Sequence, residues 1–303
     1  MKSLARTSLL LTLAAGVAGA QSVVGRNEAN WSLRETLASG QRLRIASPNG
    51  AITITEGSGS AVEIQVEKRA ERNARIEDIG FIVKKSSEGL VVCAVYSDGD
   101  QCDLEHGYDA ERNHWRDGRS YPRAIFTVRM PKGVTVQAGT GNGDIAINGA
   151  GSSVDASTGN GRVMVTGTSG RVRANTGNGR VTVEDAHGPV EATTGNGDVR
   201  VATSTGPVMA RSGNGNIDVS MDRLERAAEM TFSTGSGRIV LSVPATFGAE
   251  LEGSTGNGEI SSELPMRVEG RINPHRVRGT IGGGGERLAL STGNGDIEIR
   301  RAH

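Results

Sequence analysis

The chain of 303 residues carries 34 Lys and Arg against 34 Asp and Glu, a formal charge of zero at pH 7. That balance excludes capture of nucleic acid or an anionic membrane by bulk electrostatics. With 44 glycines and only 3% aromatic residues, the composition suits repeated turns and a thin core better than a wide interior.

Residues 1–20 read as an export signal. Lys2 and Arg6 form a basic start, Leu9 to Val17 an apolar stretch, and Ala18-Gly19-Ala20 a small-residue cleavage site before Gln21. The apolar stretch is too short to span a bilayer, no Cys stands at the cleavage point, and no later segment approaches a membrane span. The mature chain is therefore expected in the periplasm, at the cell surface or in the medium. Without Lys2 and Arg6, 32 basic residues face 34 acidic ones.

Residues 21–133 form an N-terminal β region. Seven of the nine aromatic residues lie between Trp31 and Phe126. Apolar and polar residues alternate in Ala51-Ile52-Thr53-Ile54, Val62-Glu63-Ile64-Gln65-Val66 and Ile125-Phe126-Thr127-Val128, the period of half-buried strands. Cys93 and Cys102, the only cysteines, are expected to form a disulfide in an exported protein. They pin the base of a polar loop running from Ser97 to Ser120. Ser47-Pro48-Asn49-Gly50 looks like a degenerate first copy of the turn that governs the rest of the chain.

That turn recurs through residues 134–303. Thr-Gly-Asn-Gly begins at Thr140, Thr158, Thr176 and Thr194 and becomes Ser-Gly-Asn-Gly at Ser212, each step being 18 residues. Variants follow at Thr234, Thr255 and Thr292, after steps of 22, 21 and 37. A fixed short period means one unit stacked on copies of itself. Within each unit, Val163/Val165, Val181/Val183 and Val199/Val201 form one inward column, and Val154/Ala156, Val172/Ala174 and Val190/Ala192 another. Such columns require in-register stacking about 4.8 Å apart. The predicted fold is an all-β, single-stranded β-solenoid (parallel β-helix-like) with two strands per 18-residue rung, preceded by the smaller irregular β region. Two nine-residue halves favour this two-sided coil over a three-sided left-handed helix of hexapeptides. Asn142, Asn160, Asn178, Asn196 and Asn214 would stack as an amide ladder at the turn, and the Thr column beside them needs backbone partners. A rung holding four aliphatic side chains cannot offset its own ordering, so repetition is obligatory. Met221 to Met230 and Leu264 to Arg278 read as loops leaving the coil.

Met130-Pro131-Lys132-Gly133-Val134, the Thr-Gly-Asn-Gly-Asp-Ile repeats, and Gly279 to Gly285 followed by Gly293-Asn294-Gly295-Asp296-Ile297 resemble the bacterial putative-adhesin family of β-strand-repeat proteins, a domain of unknown function related to head-GIN-type adhesin domains. The resemblance covers about residues 40 to 300. It implies an exported β-solenoid and carries over no catalytic residue; fold alone does not imply function.

The residues after each Gly-Asn-Gly, Asp144, Arg162, Arg180, Asp198 and Asn216, face outward, and opposite charges meet on adjacent rungs. Arg162, Arg171, Arg173 and Arg180 form the most basic stretch and are the candidate binding surface. Calcium is not expected at the repeats, because the acidic position becomes Arg in two rungs, unlike Gly-Gly-x-Gly-x-Asp-x-U-x rolls. The loop residues Asp98, Asp100, Asp103, Glu105, His106, Tyr108 and Asp109, with His114 and Trp115, gather ligand-type side chains without the spacing of an EF-hand. No nucleophile elbow, zinc-protease or Walker sequence occurs. Asp144 and Asp198 are too many rungs apart to act as a glycosidase pair. The expectation is a non-enzymatic chain without cofactor or metal. Its partner would be a cell-envelope polysaccharide or an envelope protein, engaged by the solenoid surface or, in an envelope-stress or assembly role, by residues 98–117. A polysaccharide-active β-helix enzyme has the least support.

Overall fold

The computed structural model describes residues 22–70, 73–109, 121–203, 205–223, 228–269 and 273–302. The stretch 1–20, expected to be an export signal, and the loop residues His114 and Trp115 lie outside them.

The coil from Val154 to Thr168 shows how the sequence dictates the architecture. Val154, Ala156 and Thr158 are buried on one strand (Val154–Asn160), and Val163, Val165 and Thr168 on the next (Val163–Thr168). Asp155 and Met164 lie between them, on outer faces. The following coil repeats the pattern in register, with Val154 beside Val172, Ala156 beside Ala174 and Thr158 beside Thr176; on the other side Val163 meets Val181 and Val165 meets Val183. Both sheets grow by this rule. Among the described residues they reach 14 and 12 strands, with a separate two-stranded hairpin, and one apolar core runs between them from Trp31 to Ile299. The chain is thus the all-β solenoid with two strands per coil that the 18-residue period specifies.

The two glycines of each corner serve different purposes. Gly179, the second, has φ +152°, and a Cβ there would lie 2.0 Å from the carbonyl oxygen of Gly161. Gly177, the first, lies in ordinary extended backbone, yet a Cβ would come within 2.6 Å of the Gly159 carbonyl oxygen. One glycine is needed for conformation, the other because neighbouring coils approach too closely for a side chain.

Coil order departs from chain order at both ends. The coil Arg42–Asn49 with Ile52–Glu56 lies beside Thr135–Asn142 and Ile145–Ala150. On its other side lie Gly89–Val95 and Arg123–Met130, which come later in sequence. Ser47 and Asn49 pair with Thr140 and Asn142, so the degenerate copy occupies the common corner, and both sheets run unbroken across residue 134. At the far end the last coil, Arg287–Asn294 with Ile297–Arg301, is laid between Met230–Ser236/Ile239–Val243 and Ala249–Asn257/Ile260–Ser262. Leu264 to Arg278 is not simply a loop: Met266–Val268 and Arg276–Ile281 pair antiparallel and finish the first sheet.

Antiparallel strands close both ends of the first sheet and the near end of the second, where a bare parallel edge would invite pairing with another chain. Asn30–Thr36 pairs with Ala61–Arg69, which pairs with Arg123–Met130. Lys68 locks this cap. Its buried Nζ, with three N–H donors, lies among the carbonyl oxygens of Gly25, Arg26, Ile76 and Ile79, all within hydrogen-bond distance, and 5.3 Å from the Phe81 ring centroid. Burial pushes its ammonium down to about 8.

Candidate functional site

The disulfide between Cys93 and Cys102 folds the polar loop back onto the first sheet. Gln101–Asp103 and Gly107–Asp109 form its hairpin. Under it, Ala46, Ile82, Val91, Val95 and the two cysteines make a second, smaller apolar cluster on the outer side of the sheet, with Leu104 and Tyr108 packed against it. The buried carboxylate of Asp100 organises the loop: Oδ2 accepts from the backbone N–H groups of Tyr96 (3.0 Å) and Ser97 (3.2 Å) and from the Tyr108 hydroxyl (3.1 Å).

Where the hairpin ends, a cleft of about 510 Å³ opens between it and the outer face of three successive coils. Its floor is nearly free of side chains, because Ala46, Pro48, Gly139 and Gly141 stand there; Tyr108 and His106 form one wall. Arg44, Gln137 and Asp155 project into it from adjacent coils. Arg44 donates to Gln137 Oε1 (3.0 Å) and to the Asp103 carbonyl (2.9 Å). Gly107, with φ +86°, permits that approach, since a Cβ would sit 3.0 Å from Arg44 Nη1. Burial pulls the Arg44 guanidinium below its usual range, against the attraction of Asp103 and Asp155. Burial also raises the Asp155 carboxyl, while Arg173 and Arg44 draw it down. Asp155 has no hydrogen-bond donor among the described residues. The cleft therefore presents donors and an acceptor together, in a partly desolvated place where each is stronger than in water.

The Gly-Asn-Gly corner is a different kind of site. Asn160 Nδ2 donates to Asn142 Oδ1, Asn178 to Asn160, Asn196 to Asn178 and Asn214 to Asn196, each at 2.9 Å. The Thr column donates inward: Thr158, Thr176 and Thr194 each bond a glycine carbonyl of the preceding coil at 2.9 Å. The Asp and Asn residues after the corner accept the next coil's backbone N–H, as from Arg162 to Asp144 (2.7 Å) and Asn216 to Asp198 (3.0 Å). These polar atoms are occupied in holding coils together.

The four arginines do not gather into one patch. Arg162 and Arg180 stand on neighbouring coils at the Gly-Asn-Gly corner, paired with Asp144 (2.8 Å) and Asp198 (3.1 Å). Arg173 lies on the outer face of the first sheet, paired with Glu191 (3.1 Å), and Arg171 lies at the opposite corner, just before Val172–Asn178. Such exposed pairs contribute little to stability. Among the described residues no group of three His, Cys, Asp or Glu could hold a metal ion, and no helix is long and apolar enough to cross a membrane. Sequence reasoning singled out His106 and Tyr108 but missed Arg44, Gln137 and Asp155. Their signal is the outward column one position beyond the inward Val, which the loop covers on only part of its length.

Fold and cleft together define a capped two-sheet β-solenoid with a cleft beside its disulfide-pinned hairpin. The chain belongs to the Toastrack DUF4097 family, whose model matches residues 41–300. Among solved structures, one called a putative lipid binding protein from Parabacteroides distasonis is 14% identical, with a TM-score of 0.47 over 91% of this chain and 98% of that one. A putative adhesin from the same species is 11% identical, with a TM-score of 0.46 over 90% and 98%. A putative adhesin from Parabacteroides merdae is also 11% identical, with a TM-score of 0.42 over 90% and 97%. No curated protein matches the chain.

Proposed function

We propose that this chain is an exported, non-enzymatic binding module of the cell exterior, and that its cleft beside the hairpin of Gln101–Asp103 and Gly107–Asp109 receives a surface polymer or an envelope protein. The observation that carries this reading is the half-buried set Arg44, Gln137 and Asp155 on an almost bare floor, walled by Tyr108. Concave sites with a few convergent polar groups are where ligands bind. The leader at 1–20 supports export. Asp144 and Asp198, each held by a backbone N–H and an arginine, are engaged in joining coils, which supports the non-enzymatic reading.

The test is retention on the immobilised mature chain of three fractions: cell-wall glycan, matrix polymer and envelope protein. One fraction should be retained, and Arg44→Ala or deletion of 98–117 should abolish that retention. Failure of every fraction to bind would end the reading. Retention that survives both changes would place binding on the outer columns instead, and turnover of any glycan would refute the non-enzymatic role.

A further inference from the structure

We infer that the ligand of the cleft is a neutral polysaccharide, which leaves the cleft along the outer face of the first sheet with one sugar unit per coil. This rests on the cleft being the binding place. The recognition chemistry points to hydroxyl groups. Asp155 offers only acceptors and has no donor among the described residues, whereas Gln137 keeps its amide N–H groups because Arg44 bonds its oxygen. A hydroxyl donates to the first and accepts from the second. A uronate drawn to Arg44 would have Asp155 opposing it in the same cleft, and an amino sugar drawn to Asp155 would have Arg44 opposing it. Both repulsions would be felt in a partly desolvated site.

The path out of the cleft has the same character. Gly141, Gly159, Gly177 and Gly195 are exposed and line up coil by coil as a trough without side chains. Beside them run Ser157, Asn175 and Thr193, three uncharged hydrogen-bonding residues on successive coils. The next residue in that column is Arg211, which ends the neutral run. The column beyond, Asp155, Arg173 and Glu191, neutralises its last two charges in one pair. Each coil advances about 4.8 Å, comparable with the length of one hexose unit. A chain of sugars can therefore meet an equivalent hydroxyl or amide at every step, and side chains larger than glycine cannot arise in the trough without striking the neighbouring backbone.

The experiment is titration calorimetry with neutral polymers (β-glucan, mannan and galactan) and their oligosaccharides, with polygalacturonate and oligochitosan as charged counterparts. A neutral series should bind, and its affinity should rise with length until the chain spans the coils from Gly139 to Thr193. Asp155→Ala should weaken binding by about tenfold or more, the effect of losing a hydrogen bond to a charged acceptor. Asn175→Arg, at an outward position, should weaken only the longer oligosaccharides while leaving the circular dichroism spectrum unchanged. Preference for a charged polymer, or indifference of long neutral chains to Asn175→Arg, would overturn the inference. So would absence of any polymer binding; if an envelope protein were still retained through Arg44, the binding-module reading would survive without it.

Discussion

At the scale of single residues, two threonines on successive coils have opposite prospects. Thr176 gives its hydroxyl to the Gly161 carbonyl at 2.9 Å, whereas Thr168 is buried and its hydroxyl has no partner among the described residues. Valine has nearly the same shape as threonine without the hydroxyl. Thr176→Val should therefore lower stability by about 1–3 kcal/mol, by stranding a buried carbonyl. Thr168→Val should be neutral or stabilising, since it removes an unpaired polar atom. Urea unfolding midpoints distinguish the two, and equal shifts of the same sign would refute the hydrogen-bond assignment. The sequence shows the Thr column as plainly as the Val column, because both recur every 18 residues. It does not show Asp155 as special: an outward Asp on a strand looks solvated until a loop from elsewhere covers it.

At the scale of the element, each coil is held by both neighbours and by a core one layer thick. Val183 is fully buried between Val165 and Val201 in the inward column. Val183→Asp places an uncompensated charge there, at a cost of about 3–5 kcal/mol. Loss of the cooperative melt by circular dichroism is expected; an unchanged melt would show that the position faces solvent. The final coil makes a sharper case. Truncation at a solenoid end normally removes one interface, but residues 287–301 are hydrogen-bonded to different coils on each side. Removing 286–303 should therefore leave a gap inside both sheets and yield aggregated or unfolded chain in size-exclusion chromatography. A monomer with an undiminished melting temperature would contradict the inserted order. The sequence hints at this only through the 37-residue step before Thr292.

At the scale of the whole molecule, stability should fall in alkali. Burial, joined by neighbouring Tyr121 for Tyr96 and by Asp100 for Tyr108, holds both phenols protonated well above the usual tyrosine range. An unfolded tyrosine ionises near pH ~10, so their contribution is complete below that pH and is lost as pH rises through the folded-state values. Lys68, with its ammonium pushed down to about 8, raises stability from there to the unfolded lysine value of ~10.4, so the drop is read above that. Denaturation midpoints should then fall for the native chain and fall less steeply for Tyr108→Phe; parallel curves would argue against these tyrosines as the cause. What the sequence by itself determined is the repeating unit: period, inward columns, corner glycines and the parallel two-sheet stack. All of these follow from local spacing, because register-locked strands make sequence distance a direct measure of spatial distance. Only the tertiary structure decided which coil lies beside which at the two ends, and which outward residues the disulfide-pinned hairpin converts into a cleft. Those contacts join segments far apart in the chain, such as Arg44 with Asp103 and Met230–Ser236 with Arg287–Asn294, and no periodicity encodes them.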